Sequence, residues 1–163
     1  MHSPLHSVTL QFQAGTGQFR EAVRDLSPEE ALTRINGVTN HAAYISLHLI
    51  DARCFVVRLL GGECSHGFEA MTEGARTVED IPEYPTMEEI GAAWDRVSEV
   101  LLTHLRDADP ETLGGAPPFR FPVDDETVLG AVTFLAHHEG YHLGQLGLIR
   151  KALGLAPIPF RSE

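Results

Sequence analysis

Two histidines four positions apart, His138 and His142, stand in the middle of a largely apolar segment of this 163-residue chain. On an α-helix such positions are surface neighbours about 6 Å apart at Cβ, so both imidazoles can meet one ion. Zinc-like ions take histidine nitrogen at about 2.0–2.1 Å, and a two-histidine clamp needs one or two further ligands from elsewhere in the fold. His48 is the natural third. It falls on a stripe of Ile45, Ala52, Phe55 and Leu59 that is otherwise apolar, which turns it toward a bundle interior rather than water. Three histidines leave a coordination position open for water or substrate. A lone histidine on an apolar stripe is usually a core residue satisfied by a hydrogen bond. An inward i,i+4 pair has fewer such explanations, because two buried imidazoles need two acceptors or a shared cation. His41 lies two turns before His48 on the same face and competes for the third place, whereas His137 is rotated about 100° from His138. His104, near a helix end, suits a surface role.

The run His138-Glu139-Gly140-Tyr141-His142 also fits H-E-x-x-H, the helical signature in which a glutamate activates the metal-bound water of zinc peptidases. Those enzymes supply a third ligand downstream of the second histidine. From Leu143 onward this chain has no His, no Asp and only the terminal Glu163, and Gln145 and Leu148 stand where the longer peptidase pattern wants Gly and His. A peptidase is therefore disfavoured. Glu139 remains the candidate catalytic residue, a general base beside the metal, against the plainer reading of a carboxylate that flanks the ligands.

Four segments with helix-period apolar spacing must position these groups. The first carries Leu5, Val8, Phe12, Phe19, Val23 and Leu26. Ser27-Pro28-Glu29-Glu30 interrupts it with an N-cap, a first-turn proline and a capping-box glutamate, predicting a short helical turn that ends near Asn36-Gly37. The second segment, residues 40–60, holds His48 and stops at Gly61-Gly62. Residues 61–85, rich in Gly, Glu and Thr, read as a long crossover connection. Thr86 caps a third stripe of Met87, Ile90, Trp94, Val97, Leu101 and Leu105. Gly114-Gly115-Ala116-Pro117-Pro118 reads as non-helical, and the fourth segment starts near Asp124-Asp125 and runs to Gly154. No alternating run insists on a sheet, so the class is all-α: a four-helix bundle in one domain spanning residues 1–163, with a long connection between helices two and three.

Composition narrows the partners. Apolar residues make up 43% and charged residues 21%, values of an ordinary globular chain able to bury roughly two-thirds of its unfolded surface. A net charge of −11 with only 12 Lys and Arg argues against nucleic acid. No apolar run approaches the roughly 20 residues of a membrane span, and the N-terminus lacks the pattern of a secretory signal. Cys54 and Cys64 match no metal knuckle or redox pair and read as lone core or loop thiols, which suits a reducing cytoplasm.

Two blocks carry a resemblance to a known family. His48-Leu49-Ile50-Asp51-Ala52-Arg53, running on to Leu59-Leu60-Gly61, and His138-Glu139-Gly140-Tyr141-His142-Leu143-Gly144-Gln145-Leu146 resemble the second helix and the C-terminal H-x-x-x-H-x-G-Q block of the DinB/YfiT-like superfamily of metal-binding four-helix bundles. The resemblance implies an up-up-down-down bundle, one zinc- or nickel-like divalent ion on His48, His138 and His142, and a homodimer, for which Gly144 and Gly147 would allow close helix approach. It further implies a thiol-dependent S-transferase that uses a low-molecular-weight thiol against small electrophiles, the thiol being activated at the open metal position. A metal-dependent hydrolase in which Glu139 or Asp51 assists is the alternative reading, and a metal-binding stress protein without turnover is a third.

Overall fold

The computed structural model describes residues 4–159; Glu163 lies outside the described residues. The described part is all-helical, and four long helices form its frame: α1 (His6–Val23), α3 (Ala42–Leu59), α5 (Met87–Asp107) and α7 (Val128–Ala152). Three shorter helices, α2 (Pro28–Ala31), α4 (Glu69–Thr72) and α6 (Pro110–Gly114), sit in the connections. The long helices fall where the apolar periodicity places them, and α2 has the expected cap: Ser27 Oγ accepts from Glu30 N, and the Glu30 carboxylate accepts from Ser27 N. Thr86 caps α5 in the same way with Glu89. Two boundaries differ from expectation. Asp109 caps α6 by accepting from Thr112 N, so the helix reaches into the glycine pair at Gly114. On the fourth segment, Asp125 accepts from both Thr127 N and Thr127 Oγ1, and Thr127 rather than an aspartate becomes the N-cap of α7.

The helix directions correct the expected up-up-down-down order. Gly15 lies beside Glu139, and the carbonyls of Ala22 and Arg24 accept from Arg150, so α1 and α7 run parallel. Early α3 residues pack with residues 143–149 and late ones with residues 128–136, which makes α3 antiparallel to α7. Arg53 meets Ser98, and Gly62 meets His104, so α3 and α5 run parallel. The order is therefore up-down-down-up, with α1 and α3 each packed on both α5 and α7. Parallel neighbours need a connection that travels back along the bundle, which is why the chain between α3 and α5 is long.

The apolar interior divides into two halves. One gathers Phe19, residues 42–54, Trp94 and Leu143 to Ile149; the other gathers Leu5 to Phe12, Val56 to Leu60, Leu101, Leu105 and Val128 to Ala136. Between them lies a polar layer centred on Arg53, fully buried on α3. Its Nε and Nη2 donate to both oxygens of Glu139 on α7 at 2.7 Å each. Nη1 donates to Thr16 of α1 and Ser98 of α5, and Nη2 also donates to the Phe12 carbonyl. The guanidinium lies 3.7 Å from the Trp94 ring centroid, whose other neighbour is Phe19. A Cβ at Gly15 would stand 2.1 Å from Glu139 Oε1, so glycine there is what lets α1 approach the pair.

Cys54 and Cys64 are joined by a disulfide. The reading of two lone thiols is thereby corrected, and the inference from free thiols to a reducing compartment loses its basis. Gly61, at φ +81°, and Gly62, whose own Cβ would clash with His104, fold the chain back on α3 and bring the two cysteines to 5.1 Å at Cα. No described helix is long and apolar enough to cross a membrane.

Removing only the cation from the buried pair leaves Glu139 charged and uncompensated. Arg53→Met is expected to cost about 3–5 kcal/mol in urea unfolding, and Arg53→Met with Glu139→Leu to recover much of that loss.

Candidate metal centre

Mid-helix positions on antiparallel α3 and α7 bring three imidazoles together beside the polar layer. His48 Nε2 is 3.0 Å from His138 Nε2, which is 3.0 Å from His142 Nε2. The ring planes cross at 67° to 76°, so three edges converge on one point rather than stacking. Nitrogens held about 2.0–2.1 Å from one ion, at angles between octahedral and tetrahedral, lie about 2.9–3.4 Å apart, and the observed spacing fits that range. All three rings are half-buried, and their ligand atoms all lie within 4.8 Å of one another, so they could hold a metal ion.

The electrostatics favour the ligating form. Desolvation by burial, helped by the neighbouring imidazoles, lowers His138 to about 4; burial also lowers His48 and His142. Neutral imidazole is the form that binds metal. Gln145 Oε1 accepts from His142 Nδ1 at 2.7 Å, which puts the proton on Nδ1 and leaves the Nε2 lone pair facing the other two rings. Gln145 belongs to the quoted C-terminal block, but its role in fixing a tautomer was not visible from spacing. His138 Nδ1 is buried without a hydrogen-bond partner among the described residues.

The competing histidines take other places. His41 is the N-cap of α3: its Nδ1 accepts from Tyr44 N, and its ring meets Tyr84 edge-on at 4.5 Å. His137 is exposed, and His104 Nδ1 pairs with the Val100 carbonyl. Glu139 points away from the expected role. Both carboxylate oxygens are taken by Arg53 in the bundle centre, and burial, which pushes its carboxyl up, is countered by that guanidinium. The general-base reading of Glu139 is corrected on this ground. Two charged residues inside apolar stripes, five positions after His48 and one after His138, were the available signal for a buried pair.

His48 and His138 line an open cavity of about 650 Å³. Asp51, one turn after His48, lines it too, and its Oδ1 accepts from His66 Nε2 at 2.7 Å and from Thr72 Oγ1 at 3.1 Å. His66 is buried, and its Nδ1 accepts from Phe68 N, so Nε2 is the protonated nitrogen. Phenyl rings supply much of the remaining lining: Phe55 from α3, Phe134 from α7, and Phe119 and Phe121 from the chain between α6 and α7. Neither the loop-borne aromatics nor His66 could be placed from periodicity, because both lie outside the helical stripes.

Residues 11–146 match the sequence model of the DinB superfamily. No curated protein matches the chain.

Two outcomes follow from this geometry. His142→Ala, which leaves a two-point site, is expected to lose most bound zinc or nickel in equilibrium dialysis with metal analysis. For the metal-free protein, the unfolded chain takes up protons on these histidines near their ordinary value of 6.5 while the folded state resists down to about 4 at His138. The histidine contribution to unfolding free energy should therefore fall as pH drops through that window, measured as the difference between the protein and His138→Gln by chemical denaturation at each pH.

Proposed function

From a chain that belongs to the DinB superfamily and gathers three imidazoles, two of them lining an open cavity, we propose a divalent-metal-dependent S-transferase acting on small electrophiles with an external low-molecular-weight thiol. The observation that carries this reading is the convergence of three Nε2 atoms facing a space large enough for two small reactants. A divalent ion held there would supply Lewis acidity, lowering the pKa of a thiol that ligates it.

The remaining work falls to the chain's own side chains. Neither cysteine offers a free nucleophile, since Cys54 is bonded to Cys64. Glu139 offers no free lone pair, since Arg53 holds both oxygens. Asp51 has an oxygen beyond those bonds and is held in place by His66 and Thr72, so it is the group to receive the proton that the thiol gives up. The sulfur lone pair then forms the new bond to the electrophilic carbon, and the electron pair of the broken bond departs with the leaving group. The phenyl rings give the cavity an apolar surface for the body of the electrophile. Loss of Glu139 as a base weakens the hydrolase alternative, which now rests on Asp51 alone.

The test is a panel of cationic, neutral and anionic thiols against small electrophiles, using metal-loaded protein and the variant Cys54→Ser/Cys64→Ser. Thiol-dependent turnover that survives in the folded variant is the expected result. Turnover without added thiol would establish the hydrolase instead, and loss of turnover in the folded, metal-loaded variant would show that a protein sulfur is required.

A further inference from the structure

The cavity beside His48 and His138 is lined by two unlike sets of groups. In one, Phe119 stacks on Phe55 with centroids 5.6 Å apart and on Phe121 at 4.9 Å, and Phe121 reaches Phe134 at 5.7 Å. Phe134 in turn lies 6.3 Å from the ring of His138, so the aromatic series runs from the rim to the histidines. Phe119 remains 57% exposed although it is a large apolar side chain, which leaves apolar ring surface open at the rim. The second set is carboxylates: Asp51, Glu69 and Glu73. Glu69 has both oxygens committed to the backbone amides of His66 and Gly67 and contributes charge alone. Asp51 is aimed by two donors on Oδ1, and Glu73 is exposed at the edge. The lining cation is Arg58, which turns toward the Cys64 carbonyl.

We propose that this cavity selects a small ligand with an aromatic body and a protonated amine, the body lying against Phe55, Phe119 and Phe121 and the amine against Asp51 and Glu73. The ring faces carry negative quadrupole, and the carboxylates carry full charge, so both sets favour a cation and the apolar one favours a flat body. A ligand bearing several carboxylates meets repulsion from the same groups. This deepens the transferase reading and rests on it for the identification of the cavity with the substrate side; the preference for an arylalkyl ammonium ion is a property of the walls and is measured without turnover or metal.

The probes are 3-phenylpropan-1-amine, 3-phenylpropan-1-ol, 3-phenylpropanoate and butan-1-amine, titrated into the full chain by NMR chemical-shift mapping, metal-free and again with zinc. In the metal-free protein the phenyl amine should bind tightest, by about fivefold over the alcohol, with the propanoate weakest, and shifts should centre on residues 119–121 and Asp51. Phe119→Ala, at an exposed position that spares the core, should weaken all three phenyl probes by about fivefold and leave the amine-to-alcohol ratio intact. Asp51→Asn should lower that ratio and leave the alcohol unchanged. Propanoate binding as tight as the amine, equal binding of butan-1-amine, or unchanged affinity in Phe119→Ala would overturn the proposal. Failure of zinc to bind would defeat the transferase reading while leaving the wall preference standing or falling on the metal-free titrations.

Discussion

A guanidinium in the centre of a helix bundle is tolerated only when every donor is satisfied, and Arg53 meets that condition by touching all of α1, α5 and α7 from its place on α3. The arrangement cannot slide. A one-residue shift of α3 against α7 would separate Arg53 from Glu139 and strand two charges in an apolar interior. Because Glu139 adjoins His138 in sequence, and Arg53 follows His48 by little more than one turn, the same constraint fixes the register in which the three imidazoles meet. A buried ion pair adds little net stability, but it discriminates strongly among helix registers.

The frame of the molecule was legible in the sequence because long helices advertise themselves by period. Phe12, Phe19, Ile90, Trp94 and Leu101 were read as inward-facing and are buried. The convergence of the three histidines was legible for the same reason: each interrupts an apolar stripe at a position whose direction the helix period defines. Helix order was not. Period tells which face is buried but not which neighbour buries it, and parallel α3 and α5 became visible only through contacts such as Arg53 with Ser98.

What escaped the sequence shares one character: each depends on groups brought together by irregular backbone. The disulfide needs the reversal at Gly61 and Gly62. His66 reaches Asp51 only because the chain after that reversal returns along α3. Glu139 was misassigned from a local motif, since H-E-x-x-H specifies that the glutamate is near the histidines in sequence and leaves open which side of the helix its partner occupies. On a helix the intervening residue is turned about 100° from its neighbour, and here that turn aims it at Arg53.

The loop that supplies Phe119 and Phe121 is anchored at both ends by short-range caps, Asp109 on α6 and Asp125 on the entry to α7, and makes no bond to the Arg53 layer. Phe119, exposed at the rim, can therefore be exchanged without disturbing the register of the helices that bring the histidines together, whereas Phe121 belongs to the buried core. Such a division separates two tasks: the helices fix where the three imidazoles meet, while the exposed rim of the loop sets part of the cavity lining at little risk to folding. Substitutions at that rim can change what the cavity accepts and keep the same bundle throughout.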